Sequence, residues 1–333
     1  MTNQRYHSGR SATILLMSLR LRSSLIALFV SFSTVAFSAV GPRGTTIREG
    51  VIYISPDTNS AKLSNISRGR DVAVLERTPG WIHVVGTVES NPEQESERNV
   101  TGWMLDKGVI LPDTPEGDKI IFGEAAASEY EASERGGRKG AAGDALRLYA
   151  SMVEYFPASP LAAEAAYRAA DIRWQLELAD QKTRPSSKLR DPHMRVPLDE
   201  SYLKKVIKKY PGTRWADLAA YNMIDNKLCG DWEAQAECPV KETEIYVKYV
   251  DDHPKSPKAP EALYKAAWRQ AALITIYKYD NQQKKADDAT ARAVALGKRL
   301  VSQYPDATDW SSRAATLVYM VQTGIPAFGN AVE

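Results

Sequence analysis

The chain has 333 residues, of which 44% are hydrophobic and 25% are charged. This composition excludes a mostly disordered chain, and the length suits about two domains of ordinary size. The first 38 residues contain four arginines and no acid, so the rest of the chain holds 39 basic and 41 acidic residues, a net charge of −2. The basic excess that nucleic-acid binding requires is missing, and we expect no nucleic-acid partner.

Residues 1–38 have the pattern of an export signal. Arginines precede an apolar stretch from Leu25 to Ala36, and small residues flank Phe37, which predicts cleavage after Ser38. The apolar stretch is too short to span a bilayer comfortably, although a retained membrane anchor is the alternative. We therefore expect a periplasmic or secreted protein.

Two features of the N-terminal region bear on how the chain is exported: the position of the start codon and the possibility of a lipid anchor. Translation from Met1 and translation from Met17 both remain open, because the segment from Met17 already forms a compact signal. No cysteine precedes Cys229, so the sequence offers no residue for a lipid anchor near the signal.

Residues 45–111 predict a small β unit. Short β-rich runs alternate with turn residues, and such a unit needs several strands to be stable. The runs are "GVIYISP", "RDVAVLER", "WIHVVGTV" and "GWMLDKGVIL". Apolar residues alternate imperfectly in "DVAVLE", as they do in the strands of a tight barrel.

These runs resemble bacterial SH3-like domains. The matching segments are Val51 to Pro56, Gly69 to Val72, Gly80 to Val84, and Gly102-Trp103. The resemblance implies a β-barrel that binds cell-wall or peptide ligands. An acidic insertion, "ESNPEQESERN", departs from the family pattern and is expected to lengthen a loop between the last two strands.

Three aromatic residues of the β unit are candidate ligand-binding residues: Tyr53, Trp81 and Trp103. Flat rings provide a large contact area at a low cost in conformational entropy, which favours a shallow ligand groove. The alternative is that both tryptophans fill the interior of a small barrel. A further alternative is that the β domain only caps the helical region that follows.

Residues 112–143 are predicted to be a linker, because the segment is rich in turn residues and contains glycine pairs. The run "EAAASEYEASER" within it is compatible with a short solvated helix. No phosphate-binding loop is expected, since neither glycine fingerprint is present.

Residues 144–325 predict repeated helical hairpins. Pro157, Pro211, Pro254 and Pro305 lie 54, 43 and 51 residues apart, and each follows an amphipathic run and precedes an alanine-rich one. A proline inside a helix costs about 3 kcal/mol, so each one should end a helix. Three residues just after these prolines are predicted N-caps of the next helix: Ser159, Thr213 and Ser256. Pro160 and Pro257 are expected as the first helical residues that follow.

The four corners resemble tetratricopeptide-type repeats of bacterial envelope proteins, notably the outer-membrane-protein assembly lipoproteins and the partner of the Tol–Pal system. The resemblance is carried by Tyr155-Phe156-Pro157-x-Ser159, Tyr210-Pro211-x-Thr213 and His253-Pro254-x-Ser256. It implies stacked hairpins that hold other proteins or peptides. The expected fold class is therefore multidomain α+β, with an SH3-like β-barrel followed by an all-α tetratricopeptide-like solenoid.

The two cysteines, Cys229 and Cys238, are predicted to form a disulfide. An even number of cysteines in an exported protein favours pairing, and the loop is too wide and too poor in histidine for a metal or redox site. The sequence contains no Gly-x-Ser-x-Gly elbow and no HExxH motif. We therefore expect no metal, no cofactor and no catalytic residue.

Two functions remain open from the sequence. The favoured one is a non-catalytic envelope scaffold or adaptor, in which the helical region binds an envelope protein or peptide and the β unit binds peptidoglycan or a peptide. The alternative is a cell-wall hydrolase, or an accessory factor of one, with an unrecognised active site. Residues 179–197 are either a disordered insertion or an ordered binding loop.

Overall fold

Strands form a single curled antiparallel sheet at the start of the described chain. The computed structural model describes residues 41–91 and 96–329, so the predicted signal peptide lies outside the described residues. The strands are β1 (Arg43–Thr46), β2 (Gly50–Tyr53), β3 (Lys62–Ile66), β4 (Asp71–Thr78), β5 (Trp81–Asn91), β6 (Ser96–Leu105) and β7 (Val109–Ile110). Their order in the sheet is β3-β2-β6-β5-β4-β1-β7, which leaves β3 and β7 at the edges and makes the sheet a half-barrel.

The concave side of the sheet is filled by aliphatic side chains. These are Ile52, Ile66, Val72, Val74, Ile82, Val84, Val88, Val100, Met104 and Leu111. The imperfect alternation in "DVAVLE" is explained by a β-bulge, since the pairing of β4 with β5 shifts register between Val74 and Glu76. Leu75 is the extra residue, and its side chain is 52% exposed.

Nine α-helices and the segments that connect them follow the sheet in the described chain. They are α1 (Gly117–Ser133), α2 (Ala141–Tyr155), α3 (Ala162–Thr183), α4 (Ser201–Lys209), α5 (Arg214–Asn222), α6 (Glu237–Asp252), α7 (Ala259–Tyr279), α8 (Gln283–Gln303) and α9 (Thr308–Thr323). Each predicted proline corner joins two helices that pack against each other: α2 with α3, α4 with α5, α6 with α7, and α8 with α9.

The four corners share one backbone conformation. The residues just before the prolines, Phe156, Tyr210, His253 and Tyr304, have φ between −127° and −131° and ψ between 54° and 57°. Each of their N–H groups still donates to the carbonyl four residues earlier, at 2.8–2.9 Å. The helix therefore ends at the residue where proline disfavours the α conformation.

The predicted N-caps differ among the corners. Thr213 caps α5 as predicted, because its hydroxyl accepts a hydrogen bond from the N–H of Ala216 at 3.3 Å. The hydroxyls of Ser159 and Ser256 instead accept from the N–H two residues later, at 3.2 and 3.1 Å. The next helices, α3 and α7, begin at Ala162 and Ala259, two residues after Pro160 and Pro257. These prolines therefore lie in the turns before the helices and are not the first helical residues.

The segment predicted as a linker contains α1. This helix starts at Gly117, before the predicted helical run, and Ile121 and Ala125 are fully buried rather than solvated. The physical reason is that Ile121 supplies a large apolar side chain just ahead of that run. It packs in one cluster with Leu148 and Tyr149 of α2.

The sheet and the first helices share a hydrophobic cluster. Ile47 and Ile110 from the sheet pack with Ile121 of α1 and with α2. Gly69, in the turn before β4, has φ +74°, and a methyl group at this position would lie 2.9 Å from Cβ of Arg147 on α2. Only glycine combines this backbone conformation with so close an approach.

Polar contacts surround the hydrophobic cluster that the sheet shares with the first helices. The Tyr155 hydroxyl lies 3.0 Å from a carboxylate oxygen of Asp71. Arg43 of β1 pairs with Glu154 at 3.0 Å and with Asp71 at 2.7 Å. The β unit is therefore fixed to the end of the helical region rather than tethered to it by a flexible segment.

Candidate functional site

The three predicted aromatic residues lie together on the convex side of the sheet. Tyr53 of β2 pairs with Trp103 of β6, which pairs in turn with His83 of β5. Residues directly opposite each other in an antiparallel pair face the same side, and Trp81 lies two residues from His83 on that side. We name the surface formed by Tyr53, Trp81, His83 and Trp103 the aromatic face.

The rings of the aromatic face contact one another. The His83 and Trp103 rings are stacked, with centroids 4.9 Å apart and planes at 21°. The Tyr53 and Trp81 rings meet edge to face at 5.7 Å. Since these contacts hold the rings in place, a ligand that packs on them immobilises few new side-chain torsions.

The alternative in which the tryptophans fill a barrel interior is wrong. The core cluster of the sheet is aliphatic and contains neither Trp81 nor Trp103, and both side chains are half-buried on the other side. The core needs no aromatic ring because valine and isoleucine side chains already fill the narrow space within the curled sheet. His83 was missed by sequence reasoning, although its position two residues after Trp81 was a usable signal.

The acidic insertion lies in the β5–β6 hairpin. Its described ends extend both strands, with Glu89 opposite Glu97, and residues 92–95 lie outside the described residues. Like charges directly opposite each other are unfavourable, and Arg70 lies between these two carboxylates and pairs with both. The insertion therefore lengthens the β5–β6 hairpin.

An apolar groove lies between α2, α3 and α4. Its volume is about 300 Å³. The residues that line it are Leu146, Ala150, Val153, Ala166, Ala169, Ala170, Arg173, Tyr202, Lys205, Val206, Lys209 and Tyr210. Because alanines form much of its floor, the helices leave space that larger side chains would fill.

Cations border this groove. The Arg173 guanidinium lies 3.9 Å from the centroid of the Tyr202 ring, and the Lys205 ammonium lies 5.0 Å from the same centroid. Lys209 lies over the Tyr210 ring at 5.3 Å. We name this surface the cationic groove. The sequence signal for it was the spacing of Lys205 and Lys209, which places both on one face of a helix.

The disulfide between Cys229 and Cys238 is confirmed, with Cα atoms 6.0 Å apart. The loop that it closes rests on a buried carboxylate. One Glu242 oxygen accepts from the N–H of Cys229 at 2.8 Å and from the Trp232 ring N–H at 3.2 Å. The other accepts from Arg269 Nε at 2.8 Å, and both charged side chains are almost fully buried. Sequence reasoning missed this ion pair.

Two hydrogen-bonded pairs, one of histidine with aspartate and one of serine with tyrosine, lie at the third corner. His253 Nδ1 lies 2.8 Å from Asp217 Oδ1, and the Ser256 hydroxyl lies 2.6 Å from that of Tyr249. Ser256 is only 3% exposed and also accepts from the N–H of Lys258. An external substrate could not reach this hydroxyl, so the cluster stabilises the turn between α6 and α7.

The described residues hold neither a metal-binding cluster nor a membrane-spanning helix. No group of three or more His, Cys, Asp or Glu side chains within residues 41–91 and 96–329 is arranged to hold a metal ion. In the same part of the chain, no helix combines the length and apolarity needed to cross a membrane.

The chain has no significant match to any protein-family model or to any curated protein with which it was compared.

Proposed function

We propose that this chain is a non-catalytic adaptor of the bacterial cell envelope, in which an SH3-like β unit is followed by a tetratricopeptide-like solenoid that binds a partner protein. The repeated backbone conformation at the four proline corners supports the repeat architecture. The observation that carries the functional proposal is the cationic groove, because it is an apolar surface with a specific charge pattern at its border.

The chemistry of the groove specifies its partner. An apolar floor takes up apolar side chains, and Arg173, Lys205 and Lys209 favour carboxylates beside them. Their positions over tyrosine rings leave their N–H groups available for hydrogen bonds to a ligand. The partner is therefore a protein segment that carries apolar residues flanked by aspartate or glutamate.

The aromatic face provides the second binding surface of the adaptor. The Trp81, His83 and Trp103 rings are half-buried, whereas Tyr53 is buried and supports the ring of Trp81. Half-exposed rings suit a ligand with flat apolar surfaces, and the sugar rings of peptidoglycan have them. Two weak sites on one chain gain apparent affinity when both ligands are fixed in the same structure. An adaptor of this kind would hold its partner protein close to the cell wall.

The disulfide supports placement of the chain in an exported compartment. Disulfides persist in oxidising environments and are rare in the cytosol. The Cys229–Cys238 bond is therefore consistent with the export signal predicted for residues 1–38.

Release of muropeptides from purified sacculi by the purified protein would contradict the proposed absence of catalysis.

Reversing the charge at the cationic groove is expected to abolish partner binding. In the Lys205→Glu/Lys209→Glu variant, two carboxylates would face the acidic partner segment, and like charges across an interface are strongly unfavourable. A photoreactive amino acid at Ala150, on the groove floor, should crosslink in living cells to an acidic, apolar segment. The crosslinking yield should fall at least about tenfold in the variant.

The matched control for this experiment is Lys204→Glu/Lys208→Glu on the same helix, which changes the net charge equally outside the groove lining. Its crosslinking yield should equal that of the wild type. Equal yields from the groove variant and the wild type would contradict the proposed site. So would a crosslinked segment without acidic residues.

Replacing Trp103 by alanine is expected to weaken sedimentation with purified peptidoglycan by about tenfold or more, as truncation of a central aromatic residue does at many interfaces. Leu75→Ala is the control, because it removes an exposed apolar side chain from the bulge of β4. Unchanged sedimentation of the Trp103 variant would contradict the peptidoglycan ligand. If the aromatic face bound only soluble peptides, its ligand would be a peptide instead of peptidoglycan.

A further inference from the structure

Residues 179–197, which sequence analysis leaves open, form an ordered segment. Two 3₁₀ turns, Pro185–Lys188 and Pro192–Met194, shape it. It is tied to the disulfide loop, because the N–H of Asp231 donates to the carbonyl of Lys188 at 3.1 Å. Arg195 also donates to the carbonyl of Leu228.

A polar cavity of about 540 Å³ lies between this segment and the disulfide loop. We name it the loop cavity. Its lining residues are Leu178, Gln181, Lys182, Ser187, Lys188, Arg195, Asp225, Leu228, Cys229, Gly230 and Asp231. It lies outside both the aromatic face and the cationic groove, since it shares no lining residue with either.

The cations of the loop cavity differ from the other cations of the segment. Arg184 and Arg190 have carboxylates nearby, Asp180 at 2.6 Å and Glu233 at 3.9 Å. Lys182, Lys188 and Arg195 line the cavity, and within the described residues none of them has a carboxylate oxygen inside 4.0 Å. Within the described residues, three cations without an ion-pair partner therefore border one open cavity, and two of them, Lys182 and Lys188, are exposed.

Arg195 brings a buried N–H donor to the loop cavity. Its Nε is buried and has no acceptor within the described part of the chain. Burial also lowers the pKa of the Arg195 guanidinium, despite the opposing effects of Glu242, Asp225 and Asp191. A buried N–H donor without an acceptor is costly, and an anion in the cavity would supply one.

The two carboxylates of the loop cavity are already engaged. Asp225 accepts a hydrogen bond from the Trp174 ring N–H at 3.2 Å, and burial raises the pKa of this carboxyl. Asp231 accepts from the N–H of Glu233 at 3.0 Å. The three cations of the loop cavity therefore outnumber its two carboxylates.

We propose that the loop cavity binds a phosphate group, held by Lys182, Lys188 and Arg195 with the Ser187 hydroxyl as an additional donor. Several cations and an arginine N–H suit the charge and the multiple acceptor oxygens of phosphate. The cavity is larger than one phosphate, and Leu178 and Leu228 add an apolar wall. The ligand is therefore a molecule that carries the phosphate, and a soluble phosphate ester and a phospholipid headgroup share this chemistry.

The test uses two probes and the full chain without its signal. Inorganic pyrophosphate, titrated calorimetrically, tests for a soluble ligand. Flotation with phosphatidylglycerol vesicles, compared with phosphatidylcholine vesicles, tests for a lipid headgroup. We expect at least one probe to bind the wild type and to bind Lys182→Gln/Lys188→Gln at least tenfold more weakly.

Arg184→Gln is the matched control, because Arg184 lies on the same segment but pairs with Asp180 outside the cavity lining. It should bind either probe as the wild type does. Among the described residues, neither Lys182 nor Lys188 has a carboxylate oxygen within 4.0 Å, so replacing both lysines should change the melting temperature little. Arg195→Lys keeps the charge, removes Nε, and should also weaken binding. Failure of both probes to bind the wild type would overturn the proposal, and so would equal binding by the double variant.

Discussion

Replacing Glu242 by alanine is expected to lower the free energy of unfolding by about 3–5 kcal/mol, the cost of removing one partner from a buried ion pair. Glu242 is 1% exposed and Arg269 is 3% exposed, so the guanidinium would lose its counter-charge where water cannot replace it. The N–H of Cys229 and the ring N–H of Trp232 would lose their acceptor as well.

Chemical denaturation measures this effect, and Glu244→Ala on the same helix is the control. Glu244 pairs with Arg292 at 2.6 Å, but its side chain is 57% exposed, and exposed pairs contribute about 0–1 kcal/mol. Equal losses for the two variants would show that burial does not set the strength of the Glu242 pair. In that case the disulfide alone, worth about 2–3 kcal/mol for a loop of this size, would hold the loop in place.

Local chemistry explains which features the sequence could predict. Proline removes an N–H donor and constrains the residue before it, so Pro157, Pro211, Pro254 and Pro305 place four turns without any knowledge of the partner helices. The disulfide followed from the even cysteine count, the expected export of the chain and the spacing of Cys229 and Cys238. The strands with strong β patterns, β2, β4, β5 and the end of β6, were also predicted from local sequence.

Features that depend on contacts distant in sequence could not be predicted. Whether Trp81 and Trp103 lie inside or outside the curled sheet depends on the direction in which the sheet curls. The alternation of side chains along one strand does not reveal that direction. The bulge at Leu75 also shifts the register of β4 with β5, which reverses the side that later residues of β4 face. The cationic groove requires Arg173 of α3 to meet Lys205 of α4, and the intervening segment sets that distance.

The linker prediction failed for a related reason. Composition describes how a segment behaves alone, and α1 is poor in large apolar residues beyond its first turns. Its stability comes from tertiary packing, which is the main source of helix stability in proteins. Ile47 and Ile110 of the β unit provide part of that packing surface. The local pattern of α1 does not show that the β unit packs against it.

Replacing Ile121 by alanine is therefore expected to destabilise the sheet and the first helices together, by about 2–5 kcal/mol. Ile121 is fully buried in the cluster that contains Ile47 and Ile110 on one side and Leu148 on the other. Hydrogen exchange followed by mass spectrometry measures the opening of each part separately. Peptides from β4 and from α2 should lose protection by similar amounts.

Ile120→Ala is the matched control, since it makes the same chemical change one position earlier on a side chain that is 37% exposed. It should cost much less and should affect both parts little. If Ile121→Ala destabilised α2 and left β4 protected, the β unit would be an independent domain that merely touches the helices. Loss of protection in both parts would mean that the aromatic face and the cationic groove belong to one cooperative unit. Their relative positions would then be fixed by the shared core, as an adaptor that holds two ligands at a defined distance requires.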